Sequence, residues 1–213
     1  MEFSYSEEEY EFLRKKDKRL AAAMDAIGPL SGWSVEPDIF TALIYTIAGQ
    51  QISTAVHIRL RQRIKEGLGE VTPENVLAAG IPGMKSFGLS ERKAQYAVGV
   101  ARATACGTFC PDELRNLSDD DVTAKLCSLR GIGPWTAEMI LIFSLERRDV
   151  LSFGDFGIRR GIRMLYRRRE VTPEYFARLR RRWSPCGTLA SLYLWEIAGG
   201  AIPGITDPAR AKK

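Results

Sequence analysis

Histidine is nearly missing from this chain: His57 is the single one among 213 residues. A histidine-bearing metal site or a Ser-His-Asp triad therefore has little material. Cysteine is scarce as well, and Cys106, Cys110, Cys127 and Cys186 follow no common zinc or iron-sulfur spacing. Reduced structural thiols are expected and no metal site is assigned. No apolar run approaches the roughly 18 to 20 residues that cross a bilayer. The opening stretch MEFSYSEEEYEFLRKKDKRL is too charged for a signal peptide. Segments that alternate apolar with polar residues are few, which argues against a sheet-based fold. No linker or low-complexity tract divides the chain.

What remains is ordinary globular material, 45% hydrophobic and 27% charged, enough for one domain or two closely joined lobes. Apolar spacing is helical throughout, which predicts an all-α fold of about ten helices. Residues 6 to 27 read as one amphipathic helix capped by Ser6, with Tyr10, Leu13, Leu20 and Met24 on one face and Gly28-Pro29 as its stop. Pro37 falls at the first position of a second helix, whose Phe40, Leu43, Ile44 and Ile47 face a core. That helix breaks at Gly49-Gln50-Gln51-Ile52-Ser53, where Ser53 can cap the next one. Thr72-Pro73-Glu74 and Thr172-Pro173-Glu174 reuse one start device, and Ser118 with Asp121 suggests a capping box.

The stretch from Leu126 to Tyr166 carries the chemistry. Leu129-Arg130-Gly131-Ile132-Gly133-Pro134 places a glycine-rich turn between two apolar helical segments, the spacing of a helix-hairpin-helix. Gly131 and Gly133 would permit positive φ and close approach, and Pro134 would open the second helix. Amides at that helix start can hold a phosphate oxygen without reading sequence. An ordinary helix-helix turn is the alternative, which the full LxGIGPWTA pattern disfavours. Twenty-two residues after Gly133 stands Asp155, at the start of a helix expected from Phe156 to Arg168. Asp is a good N-cap, and capping can coexist with a functional carboxylate.

Trp135 and Trp195 could each be plain core, or walls of a pocket whose π-faces suit an electron-poor ring. Asp149 reads as a solvated turn carboxylate, Glu138 as an arginine partner or pocket residue, and His57 receives no role. Arginines gather between Arg159 and Arg169 and between Arg178 and Arg182, and the net charge is +5 with pI near 9.1. A basic face suits a polyanion.

With these elements the chain resembles the helix-hairpin-helix (HhH-GPD) DNA glycosylases, and within them the alkylated-base (3-methyladenine) type. The matching pieces are Gly49 to Ser53, Gly88-Leu89-Ser90-Glu91-Arg92-Lys93, Leu129 through Ala137, Asp149-Val150, Asp155 through Gly161, and Trp183-Ser184-Pro185 with Trp195. The resemblance implies a single glycosylase domain over 1-213. Lobe one would hold 1-39 plus 146-213, lobe two would hold 40-145 with the hairpin at 126-143, and an active-site cleft would lie between them.

It implies Asp155 as the catalytic carboxylate, Trp135, Trp195 and Met139 as base-pocket positions, and Gln51 as an intercalating wedge. Arg130, Gly131, Ile132, Gly133, Ser53 and Arg159 join Gln51 as DNA-binding positions. Met139 departs from the tyrosine expected at its place. Bifunctional members carry a lysine nucleophile where this chain has Trp135, so a monofunctional hydrolase without lyase activity is expected. It would act on cationic, N3- or N7-methylated purines by base flipping and leave an abasic site. The carboxyl-terminal four-cysteine motif of other branches is absent, so no iron-sulfur cluster is expected; whether the hairpin takes a monovalent cation stays open. The expected partner is double-stranded DNA containing damaged bases, with no membrane and a monomeric state. The expected location is the cytoplasm or nucleoid, or the nucleus in a eukaryote. A glycosylase for deaminated bases or uracil, and a non-catalytic hairpin protein, remain the alternatives.

Overall fold

The computed structural model of the chain describes residues 2-210, apart from the side chain of Arg210. Met1 and residues 211-213, part of the expected first lobe, lie outside the described residues. Two compact units emerge: Met1–Ser34 together with Glu146–Lys213, and Val35–Leu145. The chain begins with α1 (Glu7–Lys16) and α2 (Lys18–Ile27) of the first unit. It then runs through α3 (Ile39–Gly49), α4 (Thr54–Leu68), α5 (Pro73–Ser86), α6 (Glu91–Ala105), α7 (Asp119–Cys127) and α8 (Pro134–Phe143) of the second. It returns to the first with α9 (Phe156–Tyr166), α10 (Pro173–Trp183) and α11 (Gly187–Gly199). Among the described residues the only β feature is an isolated bridge between Glu2 and Ser34. The all-α expectation holds.

The single helix expected over 6-27 is in fact two. Ser6 does open α1, in a full capping box with Glu9, but Asp17 adopts an extended conformation (φ -146°, ψ 102°) and divides the segment. Its Oδ1 accepts from the amides of Arg19 (3.1 Å) and Leu20 (3.2 Å), which caps α2. Its Oδ2 accepts from the Tyr166 hydroxyl, from Arg182 Nη1 (2.9 Å) and from Trp183 Nε1 (3.3 Å). With only 4% of the residue exposed, a carboxylate could not remain charged there without such donors. Helical periodicity could not reveal the break, because three of the five donors come from α9 and α10, on the far side of the second unit in sequence.

Around this buried acid the first unit packs one apolar core from Leu13, Leu20, Met24, Ile158, Ile162, Trp183 and Tyr193. Each such side chain contributes roughly 1.5 to 3 kcal/mol by leaving water. Within this unit α9 and α11 approach closely. A Cβ on Gly161 would lie 2.3 Å from the Leu194 carbonyl oxygen, so only glycine admits this spacing.

In the second unit α3 is the central helix, with Ile39, Phe40, Leu43, Ile44 and Ile47 buried and contacts to α4, α6 and α8. Its start differs from the expectation for Pro37. The cap is Asp38, whose Oδ1 accepts the Thr41 amide at 2.7 Å, so Pro37 precedes the helix. Thr72 and Thr172 cap α5 and α10 as expected, each with proline in the first turn. At α7, Ser118 Oγ accepts from the Asp121 amide and its hydroxyl donates to the Asp121 carboxylate, a variant of the capping box.

Asp17 sets a pH test. Burial alone would raise its carboxyl pKa, but Tyr166, Arg182 and the Leu20 amide outweigh burial and hold it below the usual range. A depressed folded pKa gives stability that is present above the unfolded value and is lost as pH falls through the folded one. Asp17→Asn is expected to cost about 2 kcal/mol at pH 7. In urea denaturation the gap from wild type should narrow progressively below about pH 4; a gap independent of pH would contradict the charged role.

Candidate functional site

The hairpin is built as the sequence suggests, but its two glycines do different work. Gly131 has φ +91°, and a Cβ there would fall 2.2 Å from the Tyr96 ring. Its turn therefore seats flat on that aromatic, whose hydroxyl accepts from Arg92 Nε at 2.6 Å. Gly133 has an ordinary extended backbone (φ -112°, ψ 177°), and a Cβ on it would meet nothing within 4 Å. The expected positive φ at Gly133 is thus corrected: what the residue provides is a bare approach to the start of α8. As N-cap it offers no side chain to the first-turn amides, and Pro134 follows at the first helical position. Ile132 is buried at 5% exposure and its amide donates to the Leu129 carbonyl (3.1 Å), which makes it the anchor of the turn. Arg130 is exposed beside it.

Next to the turn, α3 ends at Gly49 with Gln50 as its C-cap, and α4 begins after Ser53. Gln51 adopts left-handed backbone (φ +56°), uncommon for a residue with a side chain, and stands exposed. Ser53 occupies the N-cap position of α4 without a side-chain cap bond. Gln50 turns inward: its Nε2 donates to the Gly131 carbonyl (3.0 Å) and to Thr136 Oγ1 (3.1 Å). Lys93 Nζ reaches the same junction, donating to the carbonyls of Ala48 (2.9 Å) and Gln50 (2.5 Å).

In the first unit Asp155 is the N-cap of α9 and is 8% exposed. Its Oδ1 accepts from the Ile158 amide at 2.7 Å and from the Trp195 indole nitrogen at 2.9 Å. Both donors meet the carboxylate at the start of α9, where the helix presents its free amides. Trp195 stacks in turn on Trp33, with ring centroids 5.4 Å apart, and Trp33 Nε1 donates to Glu196 at 3.1 Å. Gly157 makes room for the pair, since a Cβ there would lie 2.7 Å from Trp195 Cδ1. Arg159 sits one turn into α9 with its guanidinium over the Phe153 ring at 5.5 Å. The helix ends at Tyr166, earlier than expected, because Arg167 turns left-handed (φ +54°).

Trp135 and Met139 lie on α8, half-buried and buried respectively, in the unit that also holds the hairpin. Glu138 is half-buried between them in sequence. Asp149 is not the solvated turn carboxylate expected. Its oxygens accept from Ser184 Oγ (2.6 Å) and the Gly187 amide (3.0 Å), so it caps α11 from outside the helix. His57 donates to the Tyr45 carbonyl (2.8 Å), tying α4 to α3, and burial pushes its pKa down so that it stays neutral. Burial raises the Cys186 thiol to about 11, which fits an inert structural cysteine. Trp33, Gly157, Gln50 and Tyr96 were not singled out by the sequence as site residues. Gln50 and Gly157 lie within matched motifs, but the role of each of the four depends on a partner distant along the chain.

Residues 44–186 match the HhH-GPD superfamily base excision DNA repair proteins. The DNA-3-methyladenine glycosylase 1 of Schizosaccharomyces pombe is 33% identical over 179 residues, 82% of this chain and 78% of that protein. A 3-methyladenine DNA glycosylase of the same yeast, solved in complex with abasic DNA, superposes with a TM-score of 0.82 at 30% identity, covering 89% of this chain and 95% of that one. A Bacillus halodurans DNA-3-methyladenine glycosidase gives 0.75 at 32% identity, with 93% of both chains covered. The chain spans only 58% of the length of a Bacillus subtilis relative.

The unequal glycines predict unequal variants. Gly131→Ala should lose about 2 kcal/mol or more, through the left-handed backbone and the collision with Tyr96. Gly133→Ala should stay within about 0.5 kcal/mol of wild type in urea denaturation. The reverse order would remove the Tyr96 seat as the reason for Gly131.

Proposed function

The chain belongs to the HhH-GPD superfamily of base excision DNA repair proteins, and we propose that it is a monofunctional glycosylase of the 3-methyladenine type. In this reading it flips a cationic, N3- or N7-methylated purine out of duplex DNA and hydrolyses its N-glycosidic bond. The observation that carries it is Asp155, a nearly buried carboxylate held by Trp195 and by the first turn of α9; the sequence resemblance assigns this residue the catalytic role.

Alkylation has already placed positive charge on the base, so the C1′–N bond can break with the electron pair leaving on a neutral purine. The Asp155 carboxylate stabilises the cationic sugar that forms. Water then bonds to C1′ and gives up a proton, with Asp155 as the acceptor, and an abasic site remains. The contacts from Ile158 and Trp195 fix the acid's orientation before DNA arrives. Trp195 supplies an aromatic face next to the acid, and a π-face favours a cationic ring over a neutral one. Trp135 and Met139 enter this reading as pocket positions through the family pattern alone. On the DNA side, the amides that open α8 take a backbone phosphate with Gly133 keeping the approach clear and Arg130 adding charge. Gln51 fills the gap left by the flipped nucleotide. Arg159 and Ser53 are assigned to phosphate contacts. No Schiff base forms in this mechanism, because Trp135 stands where bifunctional members carry lysine.

Two measurements test the proposal. Asn is as good an N-cap as Asp, so Asp155→Asn should fold normally and bind duplex DNA, yet release methylated bases about 100-fold more slowly or worse. Unchanged release would return Asp155 to capping alone, and a wild type that binds DNA but releases no base would leave a non-catalytic hairpin protein. Borohydride added during turnover should trap no covalent protein-DNA adduct; an adduct would contradict hydrolysis by water.

A further inference from the structure

The Gln50 side chain joins the exposed Gln51 turn to the hairpin. Its carboxamide nitrogen donates two bonds across the unit, to the Gly131 carbonyl (3.0 Å) and to Thr136 Oγ1 (3.1 Å). Those two acceptors flank Gly133, one in the turn and one in the first turn of α8, where Thr136 is 2% exposed. The backbone of Gln50 is held just as firmly. Its amide reaches the Ile47 carbonyl (3.3 Å), and its own carbonyl accepts from Lys93 Nζ at 2.5 Å. Lys93 also holds the Ala48 carbonyl, so an ammonium group closes the negative end of α3.

The next residue, Gln51, pays for this arrangement with left-handed backbone at φ +56°. Such a conformation persists where the surroundings over-determine it, and it is characteristic of ligand clamps. Here the over-determination comes from Gln50. A peptide fixed at its amide, its carbonyl and its side chain leaves the following residue one direction, outward. The hairpin turn is constrained by the same carboxamide from the other side, while Tyr96 closes it beneath Gly131.

We propose that Gln50 is a positioning residue which locks Gln51 and the Gly131–Gly133 turn into a single rigid DNA-contacting element. Wedge and phosphate clamp then meet the duplex in fixed register, and neither contact forms fully without the other. The proposal rests on the reading of Gln51 and the hairpin as DNA contacts. A role in local stability alone would leave the two contacts independent.

The test is a double-mutant cycle on the full chain, read as affinity for a duplex carrying a stable abasic-site analogue. Gln51→Ala and Gly133→Ala are measured singly and together, with Gln50 present and with Gln50→Ala. With Gln50 present, the double variant should bind about tenfold better than the product of the single losses predicts. With Gln50→Ala the losses should simply multiply. Gln50→Glu should behave like Gln50→Ala, since it keeps the size but has no N–H for Gly131 and Thr136. If the Gln50 variants fail to fold, Thr136→Val removes one acceptor at equal volume and should lower the coupling in the same direction. Independent losses with Gln50 present, or an unchanged coupling factor without its carboxamide, overturn the proposal. A single variant, Gln51→Ala or Gly133→Ala, that costs no affinity overturns instead the reading of that residue as a DNA contact, and the proposal with it.

Discussion

The approach of α9 to α11 is the constraint on which the first unit depends. Gly157 and Gly161 lie one turn apart on the same face of α9, and side chains there would run into Trp195 and the Leu194 carbonyl. Because that face is bare, the Trp195 indole comes within 2.9 Å of Asp155 Oδ1. The same oxygen caps the helix through Ile158. One carboxylate thereby caps α9 and holds the Trp195 indole. Asp149 performs a similar duty for α11, accepting the Gly187 amide from a preceding turn.

The second unit solves a different problem, which is to present a turn and a neighbouring junction with little freedom. Gly131 rests on Tyr96, Ile132 is buried, and Gln50 and Lys93 tie down the end of α3. What remains outward is the exposed Gln51, the exposed Arg130 and the uncapped start of α8. Rigid backing of an exposed polar surface is what phosphate recognition requires, since amides hold an anion well only when they are already aimed at it.

Asp17 illustrates how a long-range interaction overrides a local pattern. The apolar spacing from Tyr10 to Met24 is continuous, and on that spacing alone one helix is the better solution. Five donors around one buried carboxylate favour two helices. Once a charge is buried, leaving donors unmatched would cost more than the hydrogen bonds lost at a helix break.

The all-α class, most helix starts, the hairpin and the placement of Asp155 at a cap were legible in the residues themselves. Capping, turn chemistry and 3.6-residue periodicity act over a few positions, and a sequence displays them directly. Membership of the glycosylase superfamily was legible for the same reason, because its motifs are short and ordered along the chain. Tertiary structure alone decided which indole reaches Asp155. It also set Trp33 against Trp195, divided the first helix at Asp17, and turned Gln50 inward and Gln51 outward. Each of these depends on partners tens to more than a hundred residues away, brought together by packing, and no local pattern encodes a contact whose other half lies elsewhere in the chain.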